Sequence, residues 1–219
     1  MLVLLLSLVV LNQTASVGHS VLLVPLTANS TAQTSKPKPG DPPPLKLTSA
    51  EAGVAFDIDA DGDLDQVAWT ERGAEIAFLA IDLDADGKIT SGKELIGSQS
   101  VPGAHNAFDG LIELFKTREK RVTGAVQAGD ELYDRLLLWV DRNHNGSSDA
   151  GELRPAKELF TRIGLGYFFY TLRDEHGSRY GFAGWLEART GGPEQRAADD
   201  RADHVSRIRD IYDVTLIVR

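Results

Sequence analysis

Cysteine does not occur in this chain, which excludes a disulfide framework, a thiolate metal site and a cysteine-borne lipid anchor. Cationic surplus is missing too. With 23 Lys and Arg against 32 Asp and Glu, the formal charge is −9, and no basic face could offset that for a nucleic-acid partner. The apolar run from Met1 to Leu11 has the length of a secretory h-region and is too short to cross a bilayer, so no stable membrane span is expected in the mature chain. Familiar catalytic signatures are absent as well. There is no G-x-S-x-G, no H-E-x-x-H and no phosphate-cradling glycine loop. The hydrophobic fraction of 42% and charged fraction of 25% are those of an ordinary globular chain.

What the chain does have is acid in a repeated grammar. Asp141, Asn143, Asn145, Gly146, Ser147, Asp149 and Glu152 fall into D-x-N-x-N-G followed by a closing Glu at position twelve, the pattern of a calcium loop. Alternate side-chain oxygens converge on one point, the glycine permits the turn that offers the Ser147 carbonyl, and Glu152 closes the shell with two oxygens. Asp57, Asp59, Asp61, Gly62, Asp63 and Asp65 repeat the scheme, with Asp63 offering a carbonyl, but Ala68 stands at position twelve. Asp82, Asp84, Asp86, Gly87 and Lys88 form a third copy. Its closing carboxylate, Glu94, is one residue late, and Ile89 sits where an apolar side chain anchors a loop to the core. Carboxylates held about 5 Å apart at an effective dielectric near 20 repel by roughly 3 kcal/mol per pair. A divalent cation relieves that repulsion. Hard oxygen ligands in flexible, ligand-rich loops favour Ca2+ over zinc, copper or magnesium. The five histidines are scattered, and His144 lies inside the Asp141 loop at a non-ligand position.

In chain order, residues 1–20 read as a signal peptide, although no Lys or Arg precedes Lys36. Residues 21–46 read as a Pro/Ser/Thr-rich linker and 47–219 as the calcium-binding domain, with a buried N-terminal strand as the alternative to export. A secreted, periplasmic or cell-surface location follows. Short apolar strands flank the Asp57 loop, and Ala77 to Ile81 leads into the Asp82 loop. Phe108 to Phe115 has helical spacing. Asp130 and Glu131 open a helix that carries Leu132, Tyr133, Leu136, Leu137, Trp139 and Val140 straight into Asp141, and a short helix over 157–163 follows Glu152. Gly166 to Leu172 and Arg179 to Glu187 flank a turn, and Asp210 to Arg219 alternates as a strand. The expected class is α+β: β-hairpins around acidic calcium loops, a central helical part with one EF-hand-like helix–loop–helix, and a C-terminal β-hairpin and strand.

Four stretches carry a resemblance. They are Gly53 to Gly62 with Val67 to Thr70; Phe78 to Asp82 with Ile89 to Gly97; Leu137 to Gly146 with Gly151 to Leu153; and Tyr212 to Val214. Together the chain resembles bacterial exported proteins with EF-hand-type loops, and is similar to the calcium-binding, self-processing module of iron-regulated RTX proteins. The family usually has Phe where Ile96 stands, and an acidic loop where Lys116 to Gly124 is basic. The resemblance implies calcium binding. It also implies cleavage of an Asp-Pro bond at the module's N-terminal edge, where Asp41-Pro42 sits. The leading expectation is a non-enzymatic calcium-binding protein with a structural or interaction role and an unidentified protein partner. Calcium-dependent autoprocessing at Asp41-Pro42 is one alternative. An FG-GAP-like adhesion module is another, ranked low because that fold needs a long-period repeat.

Overall fold

The computed structural model describes residues 18–26, 41–119, 123–189 and 207–219. Most of the expected signal peptide and residues 27–40 of the expected linker lie outside them.

The architecture is a curled, eight-stranded antiparallel sheet with a separate two-stranded ribbon. Strands β1 (Ser20–Pro25), β4 (Ile76–Ile81), β5 (Ala125–Gln127), β6 (Leu136–Trp139), β7 (Leu153–Pro155), β8 (Phe160–Arg173), β9 (Arg179–Ala188) and β10 (Arg207–Thr215) build the sheet in the order β5-β8-β9-β10-β1-β4-β6-β7. β2 (Val54–Phe56) and β3 (Asp65–Val67) pair as the ribbon. The two helices among the described residues are α1 (Ala107–Arg118) and α2 (Glu131–Arg135).

This corrects the α+β expectation: the chain is mostly β, and there is no central helical part. The physical reason lies in which residues have both faces covered. In β4, Ala77, Leu79 and Ile81 enter one core cluster, and Ile76, Phe78 and Ala80 enter the other. β1 divides in the same way, Leu22 and Val24 against Val21 and Leu23. A strand buried on both faces is apolar at every position, so it shows no alternation. The segment from Leu136 to Trp139 is of this kind. Leu136 and Leu138 face one core, Leu137 and Trp139 the other, and the segment pairs with β4 and β7 rather than continuing α2. The expected helix around 131–140 therefore stops at Arg135. The Asp141 loop joins two antiparallel strands instead of two helices, and the expected helix at 157–163 is a single 3-10 turn, Ala156–Glu158, running into β8. Likewise Ser20–Pro25 is a central strand rather than linker, and Leu45 and Leu47 are buried in the second core.

α1 covers the first core. Asn106 caps it, its Oδ1 accepting the Asp109 amide at 2.9 Å, with Asp109 in the first turn and Lys116 and Arg118 in the last, both favourable to the helix dipole. Phe108, Leu111 and Phe115 turn inward at helical spacing. A second acceptor meets this end of the helix: the Asp213 carboxylate of β10 takes the Ala107 amide at 3.0 Å. The other face of the sheet carries the β2–β3 ribbon and the acidic loops.

Candidate metal centres

Each acidic loop springs from the end of a strand. Asp57 follows Phe56 of β2, Asp82 follows Ile81 of β4, and Asp141 stands two residues beyond Trp139 of β6. Beneath them lies an aromatic cluster of Phe56, Trp69, Phe78 and Trp139, with centroid separations from 4.3 to 5.7 Å. All four rings are buried.

The three loops share one backbone. Position four is left-handed in each: Ala60 at φ 62°, Ala85 at φ 64° and His144 at φ 58°. Position six is a left-handed glycine: Gly62, Gly87 and Gly146. Alanine is rare in that region, because its Cβ crowds the backbone. Two such residues at the same position of repeated loops mark a common imposed shape. Side chains then cap amides two residues ahead. Asp59 accepts from Asp61, Asp61 from Asp63, Asp84 from Asp86, Asp86 from Lys88 and Asn145 from Ser147, at 2.7–3.2 Å. These Asx turns hold the carboxylates on the inside of each curve.

The structure brings ligand atoms of Asp57, Asp59 and Asp61 within 4.8 Å of one another, and does the same for Asp82, Asp84 and Asp86. Asp65 opens β3 opposite Phe56. Burial first, then the Asp59 and Asp61 carboxylates, raise its proton affinity above the usual value, with His19 opposing. Asp63 is exposed at the tip.

Glu94 stands outside its triad and is buried. Its Oε1 accepts the Leu83 amide at 3.2 Å and its Oε2 the Thr90 amide at 2.8 Å. Glu152, also buried, accepts the Arg142 amide at 2.9 Å and the Asp149 amide at 3.1 Å. Each glutamate thus spans the amides of loop positions two and nine, although Glu94 lies one residue further along its loop. Among the described residues no carboxylate does this for the Asp57 loop, where Ala68 is fully buried and its amide donates to the Ile217 carbonyl at 2.8 Å.

In the Asp141 loop, the Asp141 carboxylate is 1% exposed. It accepts the Asn145 amide on Oδ1 at 3.1 Å, and on Oδ2 the Gly146 amide at 2.8 Å and Trp69 Nε1 at 2.9 Å. The side-chain amides of Asn143 and Asn145 both donate to Asp149 Oδ2 at 2.8 Å, and these two donors hold its carboxyl below the usual range. They occupy the role a cation would take. His144 reaches the ribbon, its two ring nitrogens 2.7 Å from the Thr70 carbonyl and 2.8 Å from the Ala52 carbonyl.

The donor set in all three loops is oxygen only, drawn from carboxylates, amides and backbone carbonyls. It fits a hard divalent cation. Trp69 and Ser148, which hold the loops from outside the ligand pattern, carried no signal of this role in the sequence.

Residues 41–196, more than half of the chain, match the SPM domain family. The chain is also similar to the iron-regulated protein FrpA of Neisseria meningitidis serogroup C, at 30% identity over 112 residues, covering 49% of this chain. That stretch is only 10% of FrpA, so the likeness concerns a small part of a much longer protein. Among the described residues, no helix is long and apolar enough to cross a membrane.

Proposed function

Because the chain belongs to the SPM domain family, we propose that it is a calcium-binding module whose three acidic loops, of EF-hand type in their ligand order, take up Ca2+ and are ordered by it. One observation carries this: three separate segments adopt the same left-handed geometry at positions four and six, and two of them add a buried glutamate bridging positions two and nine. A solvated acidic turn has no need of that shape. Asp57, Asp59, Asp61 and Asp65, with the Asp63 carbonyl, would hold one ion. Asp82, Asp84, Asp86 and Glu94, with the Lys88 carbonyl, would hold a second. Asp141, Asn143, Asn145, Asp149 and Glu152, with the Ser147 carbonyl, would hold the third. The ion supplies charge neutralisation and cross-linking of loop to strand. If the module works outside the cell, affinities of about 10⁻⁴ to 10⁻³ M would suffice. At calcium near 100 times Kd, each filled site stabilises by about 2.7 kcal/mol, or roughly 5–10 °C in a domain of this size. Thermal melts in EDTA and in 10 mM calcium test this. A calcium-dependent rise in melting temperature that magnesium reproduces poorly is expected, and superimposable melts would refute it.

A second reading, calcium-triggered self-cleavage at Asp41-Pro42, is favoured by the position of that bond. The family match begins at Asp41, and shortly after the bond the Leu45 carbonyl accepts the buried Tyr180 hydroxyl at 2.9 Å. In the step, an Asp41 carboxylate oxygen bonds its own backbone carbonyl carbon and the Asp41–Pro42 C–N bond breaks. The proline nitrogen leaves with a proton, and water opens the resulting anhydride. Intact-mass measurement after incubation with calcium decides it. An uncleaved chain rejects this reading and leaves calcium binding untouched.

A further inference from the structure

We infer that the three loops bind cations as one coupled unit, with Ser148 and Gly92 as the coupling residues. This rests on the calcium reading above but does not follow from it, since three loops of this kind could equally act alone.

The contacts between loops form a closed ring. Ser148 occupies position eight of the Asp141 loop and Ile89 occupies position eight of the Asp82 loop. The Ile89 amide donates to Ser148 Oγ at 2.8 Å, and the same hydroxyl lies 3.4 Å from the Ile89 carbonyl. Each of these two residues is flanked by functional atoms. Lys88 and Ser147, whose carbonyls belong to the shell, precede them; Thr90, whose amide Glu94 holds, and Asp149 follow them. Fixing either loop therefore fixes the peptide next to a ligand in its neighbour. Ile89 is buried beside the aromatic cluster, so this clamp does not slide.

The second contact joins the Asp82 loop to the Asp57 loop. The Gly92 amide donates to the Asp57 carbonyl at 2.8 Å, and Ser91 makes an isolated parallel bridge with Asp57. A Cβ at residue 92 would overlap the Ile58 carbonyl oxygen, so the approach depends on glycine. Gly92 lies between Thr90 and Glu94, inside the turn that presents the closing glutamate. The first ligand of one loop is thus tied to the exit turn of the next.

The third contact closes the ring. His144 reaches the Thr70 and Ala52 carbonyls on either side of the ribbon, and Gly146 packs against the Ala55 carbonyl. The Asp57 loop has no bridging glutamate of its own. Its order is borrowed from the other two loops, and its affinity depends on their occupancy. Coupling of this kind is reciprocal by linkage and works by sharing the ordering of segments that each ion would otherwise have to fix alone.

The test is a calcium titration of the full chain followed by ¹H–¹⁵N NMR, reading the amides of Gly62, Gly87 and Gly146 as separate reporters of the three loops. In Glu152→Gln, which weakens only the Asp141 loop directly, the Gly87 and Gly62 midpoints should move to higher calcium by about fivefold or more, the low end of typical coupling. Ser148→Ala leaves every proposed ligand in place. It should return the Gly87 and Gly146 transitions toward independent, non-sigmoidal curves. Unmoved Gly87 and Gly62 midpoints in Glu152→Gln, with Ser148→Ala curves superimposing on those of the unaltered chain, would overturn the coupling while leaving calcium binding intact. No shift at any of the three glycines in the unaltered chain would overturn both.

Discussion

Replacing Asp213 by Asn should stabilise the protein at neutral pH and do nothing at pH 4. Asp213 is 1% exposed and holds the start of α1 through the Ala107 amide at 3.0 Å. Burial pushes its carboxyl up to about 6 from 3.8, against the opposing pull of that amide and of Arg179. The folded chain therefore holds the proton more tightly than the unfolded one. For a carboxyl raised in this way the stabilising contribution is complete below about pH 4, and it is lost as pH rises through 6. A displacement of about two pH units is worth roughly 3 kcal/mol. Asparagine mimics the protonated form: it keeps an oxygen for the Ala107 amide and carries no charge to desolvate. Urea denaturation of both proteins in EDTA at half-unit intervals from pH 4 to 8 measures the difference. The two stability curves should meet near pH 4, separate through pH 5 and 6, and run parallel above pH 7, with the variant higher by up to roughly 3 kcal/mol. A variant that is less stable at pH 8, or a difference independent of pH, would show that the ionised carboxylate is worth more to the helix start than its burial costs.

Two further substitutions probe the loops. Trp69→Phe removes the indole N–H that Asp141 Oδ2 accepts at 2.9 Å, and a bond to a buried charge is worth about 1.5–3 kcal/mol. The unfolding free energy from urea denaturation in calcium-free buffer should fall by that amount or somewhat more, and an unchanged value would mean that the bond contributes nothing. Ala85→Gly relieves an exposed residue at φ 64°, where the left-handed backbone costs alanine about 1–2 kcal/mol and glycine's extra chain entropy returns about half of that. A gain of roughly 0.5–1 kcal/mol is expected in thermal melts, and a lower melting temperature contradicts a left-handed position four.

Periodicity reached those elements whose two faces differ. α1 was legible in this way from Phe108, Leu111, Ile112 and Phe115; β4, buried on both faces, was legible only as a short apolar run that ends at an acidic loop. Leu136 to Trp139 was not, because the apolar positions from 132 to 140 fit a helical stripe as well as a doubly buried strand. Pairing with β4, more than fifty residues away, decides between them, and no local window contains that information. β1 misled for the same reason, its Val-Leu-Leu-Val core ending at a proline and passing for the start of a linker. The ligand spacing of the three loops could be read directly, since each contact within a loop spans a few residues. The bonds that unite the loops could not: Trp69 to Asp141 spans 72 positions and Ile89 to Ser148 spans 59.

The place of β1 in the sheet governs when this protein can fold. β1 is paired on one side with β4 and on the other with β10, in a register that sets Ser20 opposite Thr215. The two halves of the sheet therefore meet only once β10 is available, across nearly the full length of the chain. Pairings of such long sequence separation form late and slowly. A nascent chain holds β1 and β9 as open apolar edges until Arg207–Thr215 arrives, and any truncation before that point leaves both exposed to intermolecular pairing. The order of events is then fixed by topology. β10 joins the two halves last, and just after it comes the Ile217 carbonyl that takes the Ala68 amide and so anchors the ribbon bearing Asp57.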